Sequence, residues 1–354
     1  MKKSDILIAL MAVGMCAACT HDGETIFNMG QEVVSPTNTN MPPELRLTYG
    51  AASTRAESNI QSTEFEADEQ IDVFMRDLGD ASTYNPSMIT YSTNGSGGLS
   101  QTTVAHLYWP KLLRPLEIYG VYPAGSVTGE TPFTYNTEYS FTVRADQTAV
   151  ADYKASDLMI GFPSNPSPNV APCTLNQDGD EGTVNLYFKH RLTKILVILQ
   201  IDNKILKGIG KIVAEDVAYS GTEDTKYARI TLSNIKRKIS FKVYGSPDLG
   251  EAVEATDGYG TTVVSRGNDI AFIVPPQTIP AGTFITIDLI TKGESEEVTD
   301  TYTYSLAEPL TLEPQKVYTY NIGLDKPTVS VTVNSITAWD TTPEPSTGTA
   351  GLVQ

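Results

Sequence analysis

Histidine and cysteine are almost missing from this chain, each occurring three times in 354 residues. The histidines are His21, His106 and His190, and no His-Glu-x-x-His, Gly-x-Ser-x-Gly or Walker-type run accompanies them. No Cys/His cluster has zinc spacing, so no catalytic residue, metal site or cofactor is assigned. Of the cysteines, Cys16 and Cys19 stand near the start, which leaves Cys173 without a partner and excludes a disulfide framework. A chain this long can bury a sizeable core without one. Basic charge is also short: 25 Lys and Arg stand against 42 Asp and Glu, a net charge of −17. That balance argues against nucleic acid as a partner and fits a solvated surface. Helix-friendly runs are scarce. The apolar run Ile6 to Val13 is too short for a membrane-spanning helix, which needs about 20 residues.

What is present begins with a sorting signal. Lys2 and Lys3 form a positive start, the apolar run follows, and the small residues Ala17 and Ala18 precede Cys19. A cysteine in that place is where a bacterial lipoprotein is diacylated and cut. The run Cys16-Ala17-Ala18-Cys19 resembles a lipobox that carries Cys16 where an aliphatic residue is usual. Cys19 is the expected lipidation site, with residues 1–18 as signal peptide; Cys16, preceded by the bulky Met15, is the alternative. Residues 20–43 are polar and proline-bearing and read as a tether.

Beyond the tether, Tyr, Thr and Val are abundant and Gly and Pro punctuate the whole length, the pattern of an all-β chain with many turns. Leu45, Leu47 and Tyr49 alternate with Glu44, Arg46 and Thr48, a half-buried strand. Strands are expected again around Phe65–Phe74 and Leu116–Tyr122. Residues 163–183 are rich in turn formers and mark a boundary between domains, or the last hairpin before one. After it, Ile195–Ile201 is a nearly continuous apolar run, suited to a strand covered on both faces. Short strands follow at Ile230–Leu232, Ile239–Val243, Ile270–Val274, Phe284–Ile290 and Val317–Ile322, the spacing of a sandwich. Val329, Val331 and Val333 alternate strictly with polar neighbours, and Trp339 precedes a Pro- and Thr-rich tail.

Three features invite a chemical reading. Residues 176–182 place oxygen-bearing side chains at alternate positions, as calcium loops do, yet lack Gly at the sixth position and Glu at the twelfth; a solvated hairpin turn is the plainer reading. Tyr108, Trp109, Tyr119 and Tyr122 could line a glycan platform, but in alternating strands such residues are more often core. His190, between Lys189 and Arg191, ends a strand and reads as a polar residue at a domain junction. Paired carboxylates need only meet in space, and nothing favours a pair.

The lipobox-like start is followed in order by ELRLTYG (44–50), Ser53-Thr54-Arg55-Ala56, FEADEQIDVF (65–74), Tyr108-Trp109-Pro110 and YGVYP (119–123). The junction FKHRLTKI (188–195), Val274-Pro275-Pro276-Gln277, LEPQKVYTY (312–320) and ITAW (336–339) continue the series. Taken in this order, these stretches resemble the fimbrillin family of type V pilus precursors. The resemblance implies two tandem transthyretin-like β-sandwich domains, 56–183 and 184–354, behind a lipidated tether and removable first strand at 19–55. It implies export to the outer membrane as a lipoprotein and removal of the first strand by an arginine-specific protease. A strand from the next fimbrial subunit then fills the groove. The physics is β-strand addition, in which backbone hydrogen bonds supply affinity and alternate side chains set the register. Arg46 lies within the alternating strand, whereas Arg55 lies in a small-residue loop that a protease reaches readily, so the cut is expected between Arg55 and Ala56. Within 327–354, Val329, Val331 and Val333 are the donor-strand candidates; the same strand could instead belong to its own sheet.

The expected role is a stalk or tip subunit of a surface fimbria, contributing to cell adhesion, with other fimbrial subunits as partners and an unidentified surface ligand. The alternative is a lipid-anchored glycan- or peptide-binding protein, or a pilus anchor, that keeps its first strand. An enzyme on a β-sandwich would need a carboxylate-lined cleft that the sequence does not display.

Overall fold

Alternating burial builds the first half of the molecule from sheet. The computed structural model describes residues 46–50, 65–77, 87–101, 116–127, 138–163, 183–201, 225–242, 249–253, 262–266, 269–292, 298–325 and 328–339. Among them, the first half supplies β1 (Arg46–Gly50), β2 (Ala67–Asp77), β3 (Ser87–Asn94), β4 (Leu99–Gln101), β5 (Leu116–Tyr122), β6 (Glu138–Thr142), α1 (Val150–Ala155), β7 (Met159–Phe162) and β8 (Thr183–His190). Seven of these strands form one sheet in the order β1-β8-β7-β5-β2-β3-β4. Only the β1–β8 pair in it is parallel. Along β8, Val184, Leu186, Phe188 and His190 turn inward while their neighbours are half-buried.

This sheet is covered on both faces. Ile71, Val73 and Met75 of β2 enter one core with Leu47, Tyr49, Phe65, Leu186 and Phe188. Phe74, between them in sequence, enters a second core with Tyr119, Ile160 and Phe162. Asp72 is buried as well, and its carboxylate accepts from Thr90 Oγ1 at 2.7 Å and from the Gly125 N–H at 2.6 Å. A buried carboxylate needs such donors to offset its desolvation. Gly120 and Gly161 face each other across β5 and β7, and the Phe188 ring lies so close that an added Cβ would meet it at 2.4 Å and 2.7 Å respectively. Here glycine serves as space for an aromatic ring rather than as a turn former.

The second half is a sandwich. Its strands are β9 (Thr193–Ile201), β10 (Thr225–Ser233), β11 (Lys238–Lys242), β12 (Thr262–Arg266), β13 (Asp269–Val274), β14 (Gln277–Ile279), β15 (Gly282–Lys292), β16 (Val298–Leu306), β17 (Leu310–Leu312), β18 (Lys316–Asp325) and β19 (Thr328–Ala338). The sheets β12-β10-β15-β16 and β13-β9-β18-β19 share one apolar core, which includes Ile195, Val197, Ile230, Phe272, Phe284, Ile287, Tyr320 and Ile322. The apolar run expected to be covered on both faces is β9. Ile195, Val197 and Leu199 enter this core, while Leu196 packs against the second core on the opposite face.

That second core joins the halves. It gathers Phe74, Tyr119, Phe141 and Phe162 from the first half with Ile239, Phe241, Ile273 and Trp339 from the second. A two-stranded ribbon of β6 and β11 spans the same boundary. Gln147 is buried, and its side-chain amide acts as a surrogate strand on β13, donating to the Ile273 carbonyl at 2.8 Å and accepting its N–H at 2.9 Å. The second domain was expected to open at residue 184, yet β8 is laddered to β1 and β7 in the first sheet. Its inward residues fill the first core, and the chain crosses to the second half only after His190. Tyr119 and Tyr122 are buried core residues, not a surface platform; Tyr108, Trp109 and the loop 176–182 lie outside the described residues.

Candidate functional site

Residue Leu47 is separated by 137 positions from its ladder partner Val184, so β1 is held by tertiary contacts rather than by local chain connection. The register runs from Arg46 opposite Thr183 to Gly50 opposite Tyr187. On its other side β1 meets the turn after β3: the Tyr49 N–H donates to the Gly97 carbonyl at 2.8 Å, and Thr48 bridges Gly98. That turn is shaped by Asn94, whose side-chain oxygen accepts the N–H groups of Ser96 and Gly98, both at 2.8 Å. Gly97 sits at φ +93°, a backbone region that side chains disfavour. β1 therefore closes the gap between β8 and the β3–β4 hairpin.

Two side chains fix it there. Leu47 and Tyr49 are buried, while Thr48, between them, is half-buried and donates to the Asn185 side-chain oxygen at 3.3 Å. Tyr49 meets Phe65 edge-on at 5.2 Å, and Phe65 in turn contacts Tyr122 at 5.2 Å and Phe188 at 5.1 Å. Each of the two β1 side chains contributes roughly 2 kcal/mol by burial, enough to hold a short strand and little against a domain's total. Without β1, Phe65, Val184 and Leu186 would line an apolar groove with an unpaired β8 edge.

Of the residues singled out in sequence, Arg46 begins β1, whereas Cys19, Arg55 and Ala56 lie outside the described residues. Val329, Val331 and Val333 are in β19, paired antiparallel with β18 opposite Leu324, Ile322 and Tyr320. Val331 is buried in the second-half core. A bulge between Thr319 and Tyr320 shifts the register, so that Ile336 stands opposite Tyr318. β19 ends the strand order of its sheet and is laddered to β18 alone among the described residues.

The strand β19 ends on the junction. Trp339 is buried there and donates its N–H to the Gln315 carbonyl at 2.8 Å; the Gln315 N–H in turn reaches the Leu192 carbonyl at 2.9 Å. His190 Nδ1 lies 2.8 Å from an Asp157 carboxylate oxygen, with both side chains buried. Lys194 is buried nearby. Desolvation lowers its pKa from 10.5 to about 8, opposed by the charge of Asp157. Sequence reading found His190 but not Asp157, 33 positions away, because no local pattern links them. It also missed the Asn94–Gly98 clamp, whose glycine-rich spelling signalled only a turn. Among the described residues, no group of three His, Cys, Asp or Glu side chains is arranged to hold a metal.

Comparison with known proteins agrees with this architecture. The sequence profile of the fimbrillin-like family matches residues 54–339. No curated protein matches the chain in sequence. A candidate cell adhesion protein from Bacteroides uniformis shares the fold at a TM-score of 0.53 and 16% identity, over 86% of this chain and all (100%) of that one. A second, from Bacteroides ovatus, gives a TM-score of 0.53 and 15% identity, over 85% of this chain and 99% of that one. The chain belongs to the fimbrillin-like family, and is thus a fimbrial-type protein of the cell surface and not an enzyme.

Proposed function

We propose that this chain is a stalk or tip subunit of a fimbria, exported to the outer membrane through lipidated Cys19 and assembled by β-strand exchange after an arginine-specific cut between Arg55 and Ala56. The observation that carries the reading is the placement of β1. It is remote in sequence from its ladder partner and plugs an apolar groove with two alternate side chains. A cut at Arg55 falls between β1 and β2 in the chain and so separates the two strands. A cut at Arg46 would leave Leu47 and Tyr49 attached to the domain, and so would not clear the groove.

The released groove accepts side chains two residues apart, the spacing at which Val329, Val331 and Val333 recur. In this reading β19 of one subunit leaves the edge of its own sheet and pairs with β8 of the next. Giving up one ladder and gaining another keeps the exchange near balance, and the open edge is covered until it is used.

The test is N-terminal sequencing of the protein from its native cell surface, with and without the arginine-specific protease. A mature chain that begins at Ala56, together with SDS-resistant ladders, is the expected result. A chain that still begins at lipidated Cys19 with the protease present overturns the proposal and leaves a pilus anchor or a lipid-held surface binding protein.

A further inference from the structure

A second feature of the described surface lies away from the β1 groove. A cavity of about 700 Å³ lies at the junction of the halves. Arg191, Lys236, Glu251, Gln277, Pro314 and Gln315 are among its walls. Its size falls within the roughly 300–1,000 Å³ of sites that enclose a small molecule or a few residues of peptide. The Gln277 amide shapes one wall, accepting the Lys236 N–H at 2.8 Å and donating to the Lys236 carbonyl at 3.0 Å.

Another wall is where β19 finishes. Gln315 lines the cavity, and its carbonyl accepts the Trp339 N–H at 2.8 Å. Trp339 is pinned by its stack on His190, ring centroids 4.0 Å apart. The last described residue before 340–354 is thus bonded to a residue that lines this cavity. The first six residues of that tail read Asp-Thr-Thr-Pro-Glu-Pro. Pro343 and Pro345 fix their own φ and bias Thr342 and Glu344 toward extended backbone, which lowers the entropy lost on docking. Six extended residues reach at most about 20 Å, ample to cross such a cavity. The segment carries Asp340 and Glu344 and no basic residue, while the cavity offers Arg191 and Lys236 against Glu251.

We propose that the junction cavity is the docking site of this chain's own segment 340–345, with Glu344 directed to Lys236, so that the tail fastens the end of β19 across both halves. The assignment goes beyond the strand-exchange reading and is tested on the unassembled protein, so each stands or falls alone.

Hydrogen exchange along 249–253 and 276–278 reads the cavity walls directly. A chain ending at Trp339 is expected to exchange there at least fivefold faster than the full chain, and a synthetic peptide of residues 340–354 to restore the slow rate. In the full chain, Glu344→Lys and Lys236→Glu are each expected to raise the rate, and the two together to return it toward the original. Equal exchange in the full and shortened chains overturns the proposal. So does charge reversal without effect. Protection that increases with protein concentration also overturns it, since the occupant would then be the tail of a second copy.

Discussion

Trp339 lies flat on His190, ring centroids 4.0 Å apart and planes within 4° of parallel, although 149 positions separate them in the chain. His190 ends the last strand of the first sheet, and Trp339 follows the last strand of the second half. The pair thus fastens the two halves and the end of β19 at one buried point, with Asp157 holding the imidazole from its edge. Trp339→Ala should cost about 3–5 kcal/mol, as large aromatic truncations in cores do. The stack itself should appear in a Trp339→Leu, His190→Ala double-mutant cycle as a coupling of about 1 kcal/mol. The chain has two tryptophans, so with Trp109→Phe the fluorescence reports Trp339 alone and should shift red on unfolding.

Lys194 makes stability depend on alkaline pH. Burial lowers its pKa to about 8 in the fold, against 10.5 in the unfolded chain. Between those values the unfolded state binds more protons, so stability rises with pH; it is fully regained above 10.5 and lost as pH falls through 8. The span corresponds to about 3 kcal/mol at most. Burial raises the pKa of Tyr304, Tyr318 and Tyr320, which works the other way above pH 10. Urea midpoints should therefore climb from pH 8 to a maximum near pH 10 and then fall. Lys194→Met should flatten the climb, and a wild-type protein with no climb would show the amine is hydrated.

The close approach of Phe188 to Gly120 and Gly161 gives a mutational test of packing. Gly161→Ala places a methyl 2.7 Å from the Phe188 ring and Gly120→Ala one at 2.4 Å, so each should destabilise by about 1–3 kcal/mol. Phe188→Leu should cost stability alone yet recover part of the loss when combined with Gly120→Ala. Strictly additive losses would mean that the ring moves aside.

Gln147 is the polar seam of the junction. Gln147→Leu keeps approximate volume and removes both bonds to Ile273, leaving a buried N–H and carbonyl unpaired, at a cost of about 1–3 kcal/mol. Gln147→Glu keeps the acceptor and loses the donor to the carbonyl, so it should be intermediate near pH 4 and worse at pH 8, where the buried carboxylate is charged. Thermal melts of the three proteins at both pH values decide this.

The all-β class, the positions of most strands and the two-sided cover of β9 were written in the sequence, because side-chain direction in a strand repeats every two residues and burial follows it. Family membership was written there too, in short runs such as FKHRLTKI and ITAW that the fold brings to one junction. Tertiary structure alone decided the rest. It put β8 in the first sheet rather than the second, since the choice depends on which core Val184, Leu186 and Phe188 fill and not on their alternation. It wedged β1 between β8 and the Asn94–Gly98 turn, brought Asp157 to His190 and His190 to Trp339, and turned Gln147 into a piece of sheet. Those contacts join residues far apart in the chain, and a periodic pattern carries no information about which distant edge or ring will meet it.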